Sequence, residues 1–258
     1  MPIAINTNIN SLFAQDALTV NSRQQTKAMQ QLATGKRINT AGDDAAGLAV
    51  SDRMTAQING LNQATQNAND GISLLQTAEG ALVQQTQMLQ RMRILALEAS
   101  TDSTVSNDKT ALNTEYSALM SQINQIGTYT QWNGKDVLMA TGGQASSGTY
   151  VFQVGATNSV TIEVSISKMT TAGALSDISG SVITSASAAQ SAIANIDLAI
   201  TAVNSQRTTL GAGINRLTYA ADNLTNIAEQ VTQSRSRVLD TDFSQASATL
   251  ARTMIIQQ

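Results

Sequence analysis

The sequence predicts a mainly α protein: a long antiparallel coiled-coil or helical-bundle rod with a small inserted β-hairpin region. Three observations predict it. Apolar residues recur at alternating steps of three and four along two long stretches, the 3.5-residue spacing of a coiled-coil seam. The only proline is Pro2, so no proline breaks a helix in the chain interior. Between the two stretches, residues 150–166 change to a period of two, which is the spacing of strands.

Residues 3–34 read as a helix with a patchy apolar face. Ile5, Ile9 and Leu12 stand at i, i+4 and i+7, and Met29 and Leu32 resume that face. Asn6, Asn8 and Asn10 are weak helix formers, so this helix is only marginally ordered by itself. Gly35 ends it in the left-handed conformation. Asp43 or Asp44 then caps the next helix by accepting from its free N–H groups. No partner ligand lies nearby in sequence, which favours the cap over a metal or catalytic role for this acidic pair.

A second helix carries the seam Met54, Ile58, Leu61, Thr65, Ala68, Ile72, Leu75, Glu79, Leu82, Thr86 and Leu89. Asn69-Asp70-Gly71 and Gly80 are local break signals inside it. The register continues on both sides of them, so the periodicity decides for helix. After the polar stretch 100–108, Leu112, Tyr116, Leu119, Ile123 and Ile126 give a third, shorter rod.

The middle of the chain has other chemistry. Asn133-Gly134 is a turn signal. Tyr150, Phe152 and Val154 alternate with Val151 and Gln153, and Val160, Ile162, Val164 and Ile166 alternate with Thr161, Glu163 and Ser165. The loop 155–159 between them has hairpin length. Residues 140–149 and 170–190 are rich in Gly, Ser, Thr and Ala and read as loops. The hairpin is expected at the far end of the rod.

The longest seam follows: Ile193, Ile196, Ile200, Val203, Arg207, Leu210, Ile214, Leu217, Ala221, Leu224, Ala228, Val231, Arg235 and Val238. At 1.5 Å per residue this helix runs on the order of 70 Å. A rod with one narrow apolar stripe needs a partner. That partner is the Met54–Leu89 helix, with Leu112–Ile126 as the third rod. Arg207 and Arg235 are expected at seam edges, reaching Glu or Asp of a neighbouring helix or subunit. Residues 239–258, with Phe243, Leu250, Met254, Ile255 and Ile256, form a last helix with part of a face, the natural partner of the first.

Five segments result. Residues 1–43 and 239–258 are the two parts of a terminal coiled-coil domain. Residues 44–139 and 191–238 are the two parts of the rod, and 140–190 are a short outer insertion.

Composition narrows the chemistry. The 258 residues include no His and no Cys, which removes imidazole bases, thiol nucleophiles, disulfides and the commonest zinc ligands. No cofactor or catalytic site is expected, and the chain reads as a non-enzyme. Aromatics are 3% and charged residues 13%, a composition suited to thin helical rods. A net charge of −3 gives no basic footprint for nucleic acid. No signal peptide or membrane-spanning stretch stands out, which by itself points to the cytoplasm and leaves signal-less export open.

Several long motifs now become legible in order. Residues 5–12 read INTNINSL, 34–51 TGKRINTAGDDAAGLAVS, 67–82 NANDGISLLQTAEGAL and 89–95 LQRMRIL. Near the other end, 207–217 read RTTLGAGINRL and 234–243 SRSRVLDTDF. Together they resemble bacterial flagellin, over both terminal thirds of the chain. The resemblance implies a subunit exported unfolded by the flagellar type III apparatus, which polymerises with copies of itself into an extracellular filament for swimming motility. It implies a flagellar cap, junction proteins and an export chaperone as further partners. It also implies an interface around Gln90, Arg91, Arg93, Leu95 and Glu115, used for subunit packing and, in some relatives, for detection by a vertebrate innate immune receptor. Ile94 stands where an acidic residue is common, which favours assembly over receptor recognition here. Family sequences usually continue past a segment like MIIQQ to an apolar end, so this chain is expected to stop short of the full terminal domain. Two alternatives are a hook–filament junction protein, which is related, and a surface adhesive or glycan-binding protein acting through Tyr150–Ile166.

Overall fold

A computed structural model describes residues 8–139 and 148–258. The expectations for Ile5, for Asn6 and for positions 140–147 lie outside the described residues. The chain forms two compact units, residues 1–59 with 226–258, and residues 60–225. The boundary falls inside the two longest helices.

Five α-helices appear among the described residues: α1 (Ile9–Thr34), α2 (Ala45–Ala99), α3 (Ser106–Tyr129), α4 (Ala186–Leu239) and α5 (Phe243–Gln257). Their ends follow local chemistry. Gly35 closes α1 at φ 70°, donating its N–H to the Gln31 carbonyl. Asp44 Oδ1 accepts from the Gly47 N–H at 2.9 Å, the cap expected of the acidic pair. Asp242 caps α5 through the N–H groups of Ser244 and Gln245. Helix α2 passes unbroken through Asn69-Asp70-Gly71 and Gly80, as its register predicts.

In the unit of residues 60–225, α2 and α4 run antiparallel. Arg93 meets Asp197, Glu79 meets Arg207, and Leu75 lies beside Gly213. Helix α3 lies antiparallel to α2, with Glu115 at Arg91 and the Ile123 carbonyl at Gln85. The core holds Leu75, Leu82, Leu89, Ile123, Val203, Leu210 and Leu217, all fully buried.

Two small antiparallel sheets complete this unit. Strands β1 (Gln131–Trp132) and β2 (Lys135–Asp136) join through Asn133-Gly134 at φ 49° and 75°, the two positive angles of a type I′ turn. Strands β3 (Thr149–Gln153) and β4 (Thr161–Ser165) pair with Tyr150 opposite Val164 and Phe152 opposite Ile162.

The β3–β4 hairpin is not carried at the far end of the rod. It folds back along the helices. Ala156 lies against Gly60, Phe152 against Gly71, and Val164 against Gly213. The Gln206 amide receives the Ser167 N–H at 3.1 Å and donates to the Ser165 carbonyl at 2.9 Å. Gln85 donates to the Ile123 and Met169 carbonyls at 3.1 and 3.0 Å. Residues 170–190 are likewise more than loop: Leu175, Ile178 and Ile183 are fully buried, and α4 begins at Ala186.

This third layer corrects the seam. Half of the expected positions are right: Ile58, Leu61, Leu75, Leu82, Leu89, Leu210, Leu217 and Leu224 are buried. At eight of the others, the buried residue stands one place earlier. On α2 these are Ala64, Gly71, Ala78 and Gln85 instead of Thr65, Ile72, Glu79 and Thr86. On α4 they are Ala192, Ala199, Gln206 and Gly213 instead of Ile193, Ile200, Arg207 and Ile214. Ile72, Ile200, Ile214 and Val231 are only half-buried. A two-helix seam would fill both positions of each heptad with bulk. Here one position must leave space for the hairpin. A Cβ on Gly71 would lie 2.8 Å from Phe152 Cδ1, and one on Gly213 would lie 2.9 Å from Val164 Cγ2.

Candidate assembly surfaces

Unit one, residues 1–59 with 226–258, is built around α1 packed on α5. Its contact is small and polar. Asn21, Ala28, Ala246 and Thr253 are the buried residues of these helices, and the Asn21 amide donates to the Thr253 carbonyl at 2.8 Å. The large apolar side chains point away. Phe13 is 70% exposed, Phe243 68% and Ile255 73%, with Ile9, Leu12 and Ile256 also in solvent. The expected face of Ile9 and Leu12 is real, but α5 does not cover it. An exposed apolar surface of this extent marks an interaction site.

The two chain segments that join these helices to α2 and α4 run side by side. Lys36 and Asp240 form an antiparallel bridge, with Arg37 N–H to the Leu239 carbonyl and Thr241 N–H to the Gly35 carbonyl. Asp43 gathers the Asn39 and Thr40 N–H groups and pairs with Lys27 Nζ at 2.8 Å. The Lys27 ammonium, followed by those N–H groups, lowers the Asp43 pKa to about 2. The sequence placed this residue only as a possible cap. Its clasp role needed the fold to bring Lys27 close.

Arg235 departs from expectation. It sits half-buried and donates to the Thr55 hydroxyl at 3.3 Å rather than to a carboxylate of its own subunit, with Asp52 lining the same hollow. Arg207 meets the expectation in the unit of residues 60–225, where its Nη2 stands 3.6 Å from Glu79 Oε1.

That unit also carries the residues 90–115 cluster. Arg91 pairs with Glu115 at 2.8 Å and links α2 to α3. Arg93 pairs with Asp197 at 2.8 Å and links α2 to α4, and the carboxylate raises the Arg93 pKa. Gln90 is exposed. Leu95 is not a surface residue: it is 1% exposed, inside the bundle, because it faces the same side of α2 as Met92 and Leu89. The exposed apolar neighbours are Ile94 and Leu97, of which only Leu97 escaped the sequence reading.

Among the described residues, no group of acidic side chains converges to hold a metal ion. Among them too, no helix is long and apolar enough to cross a membrane.

Long helices that leave Phe13, Phe243 and Ile255 in solvent are the architecture of a self-assembling structural protein. The family comparisons agree. Residues 5–143 match the bacterial flagellin N-terminal helical region, and residues 193–258 match the C-terminal helical region. The chain belongs to the bacterial flagellin family. It is 41% identical to a flagellin of Halalkalibacterium halodurans over 98% of this chain and 92% of that one. It is 37% identical to a flagellin of Bacillus subtilis over the same shares. The Bacillus cereus flagellin crystal structure superimposes with a TM-score of 0.54 at 28% identity, covering 64% of this chain and 94% of that one.

Proposed function

We propose that polymerisation of this subunit proceeds by burial of the α1–α5 apolar face against further copies of the chain. The chain is a structural subunit of the bacterial flagellar filament, an extracellular assembly that serves motility. The observation that carries the reading is the inversion in unit one: its large apolar side chains are outside and its small and polar ones inside. Burying an apolar side chain such as Phe13 stabilises an interface by about 1.5–3 kcal/mol. Summed over several residues per copy, this offsets the cost of ordering two helices that are marginal without neighbours.

The Arg91–Glu115 and Arg93–Asp197 pairs, with Gln90, Ile94 and Leu97 beside them, form a second contact surface in this reading. The partners implied by the resemblance, a cap, junction proteins, an export chaperone and an innate immune receptor, belong to the same reading and rest on the resemblance alone.

The test is seeded polymerisation followed by electron microscopy. Removal of residues 1–34, or the double substitution Phe13→Ser with Ile255→Ser, is expected to leave a folded subunit that does not elongate seeds. Filaments of normal length and yield from either variant overturn the reading.

A further inference from the structure

A cleft of about 440 Å³ opens between α2 and the two small sheets. Its volume lies within the range of small-ligand sites, roughly 300–1,000 Å³. None of the residues lining the cleft is among those assigned above to assembly. Three of the chain's eight aromatic residues line it: Trp132, Tyr150 and Phe152. Tyr150 and Phe152 stack with centroids 6.5 Å apart and planes 12° from parallel. Their positions are fixed. The Tyr150 hydroxyl donates to the Asp136 carbonyl at 3.0 Å, and Phe152 rests against Gly71. Trp132 is half-buried, held by the tight β1–β2 turn.

The polar lining is mixed. Asp70 and Lys135 bring opposite charges, and neither forms an ion pair among the described residues. Asn67 adds an amide, oriented by Gln63 at 3.1 Å and by the Gln153 carbonyl at 3.3 Å. An anionic ligand would meet Asp70, and a cationic one would meet Lys135. A neutral ring with many hydroxyls avoids both penalties and uses both groups as hydrogen-bond partners. The C–H face of a pyranose carries weak positive charge, which suits the negative face of an aromatic ring.

We propose that this cleft binds a neutral saccharide, with one pyranose lying over the aromatic wall and its hydroxyls bonded to Asp70, Asn67 and Lys135. The sequence showed the aromatics of the hairpin alone. It did not show that Trp132 and Asp70 join them. This binding is independent of the polymerisation reading and uses the soluble subunit.

Trp132 is the only tryptophan in the chain, so its emission reports the cleft without background. The full chain is titrated with glucose, galactose, N-acetylglucosamine and cellobiose. A saturable change in emission is expected with at least one of them, at a Kd on the order of millimolar. Asp70→Ala, on an exposed helix position, is expected to weaken that binding by about tenfold or more with helical content unchanged. Lys135→Met serves as the second variant and is expected to weaken it too. Asp52→Ala, outside the cleft, leaves it unchanged. No saturable change with any of the four sugars overturns the proposal, and so does equal binding by both cleft variants. An emission change that follows protein concentration without sugar also overturns it, since a second copy would then occupy the cleft.

Discussion

The unit of residues 60–225 hides Leu75, Leu82, Leu89 and Leu210 completely, whereas unit one leaves Phe13, Phe243 and Ile255 in solvent. Both are made of long helices with apolar stripes. The difference is the number of layers. In the first, α3, the hairpin and the 170–183 segment cover the α2–α4 pair from a third side. In the second, α1 packs on α5 and the large apolar side chains of both helices stay exposed. One unit buries its large apolar side chains within the chain, and in the proposed reading the other buries them in assembly.

Substitutions that break this contrast are ordered by size. Leu82→Ala, at a fully buried position, is expected to cost about 2–5 kcal/mol of subunit stability. Phe13→Ser is expected to change subunit stability by no more than about 0.5 kcal/mol while blocking elongation. Thermal unfolding beside a seeded assembly assay separates the two. Equal loss of stability from both would erase the distinction.

Gly71→Leu comes next. The new side chain meets Phe152 Cδ1 and Leu217 Cδ1 where a Cβ alone would stand 2.8 and 3.1 Å away. Overpacking of about 1–3 kcal/mol is expected in urea unfolding. Gly80→Leu, with open space around its Cβ, is expected to be neutral or stabilising. Similar midpoints for the two variants would refute the small-residue seat of the hairpin.

Gln85→Leu removes two hydrogen bonds from buried carbonyls and is expected to cost about 1–3 kcal/mol. Amide exchange near Ile123 and Met169 should rise along with it.

A smaller effect depends on pH. The Asp43 pKa falls from 3.8 to about 2 on folding. Its contribution is therefore fully present above about pH 4 and is lost as the pH falls through about 2. Circular dichroism melts of the wild type and Asp43→Asn should converge at the acid end of that window and separate above it.

The smallest effect on stability is that of Arg91→Ala. Its pair with Glu115 is exposed on both sides, and such pairs contribute about 0–1 kcal/mol. A drop in filament yield without a change in melting would place Arg91 at a subunit contact.

Much of this was legible from residues alone. The unbroken α2 followed from register, against the advice of Asn69-Asp70-Gly71. The turn at Asn133-Gly134, the cap at Asp44 and the strand alternation of 150–166 came from local rules. The candidate site was less legible. Leu95 was placed at an interface by the resemblance, beside Arg91, Arg93 and Ile94, but it lies inside the bundle. Its burial depends on the angular position of α2 against two other helices. Arg235 was expected to reach a carboxylate of a neighbouring helix or subunit, and within its own subunit it donates to Thr55.

The sequence by itself determined the existence of the long helices, the antiparallel pairing of their seams and the absence of His and Cys. These follow from spacing and composition, which act along the chain. The tertiary structure alone decided which half of each heptad is interior. Gly71 is buried because Phe152 of the hairpin lies on it, and Gln85 because it meets the Ile123 and Met169 carbonyls; nothing in their own spacing distinguishes a cramped position from a solvated one. It also decided that Phe13 and Ile255 stay outside, since exposure depends on how many layers cover a helix, and a stripe of apolar residues does not record that number.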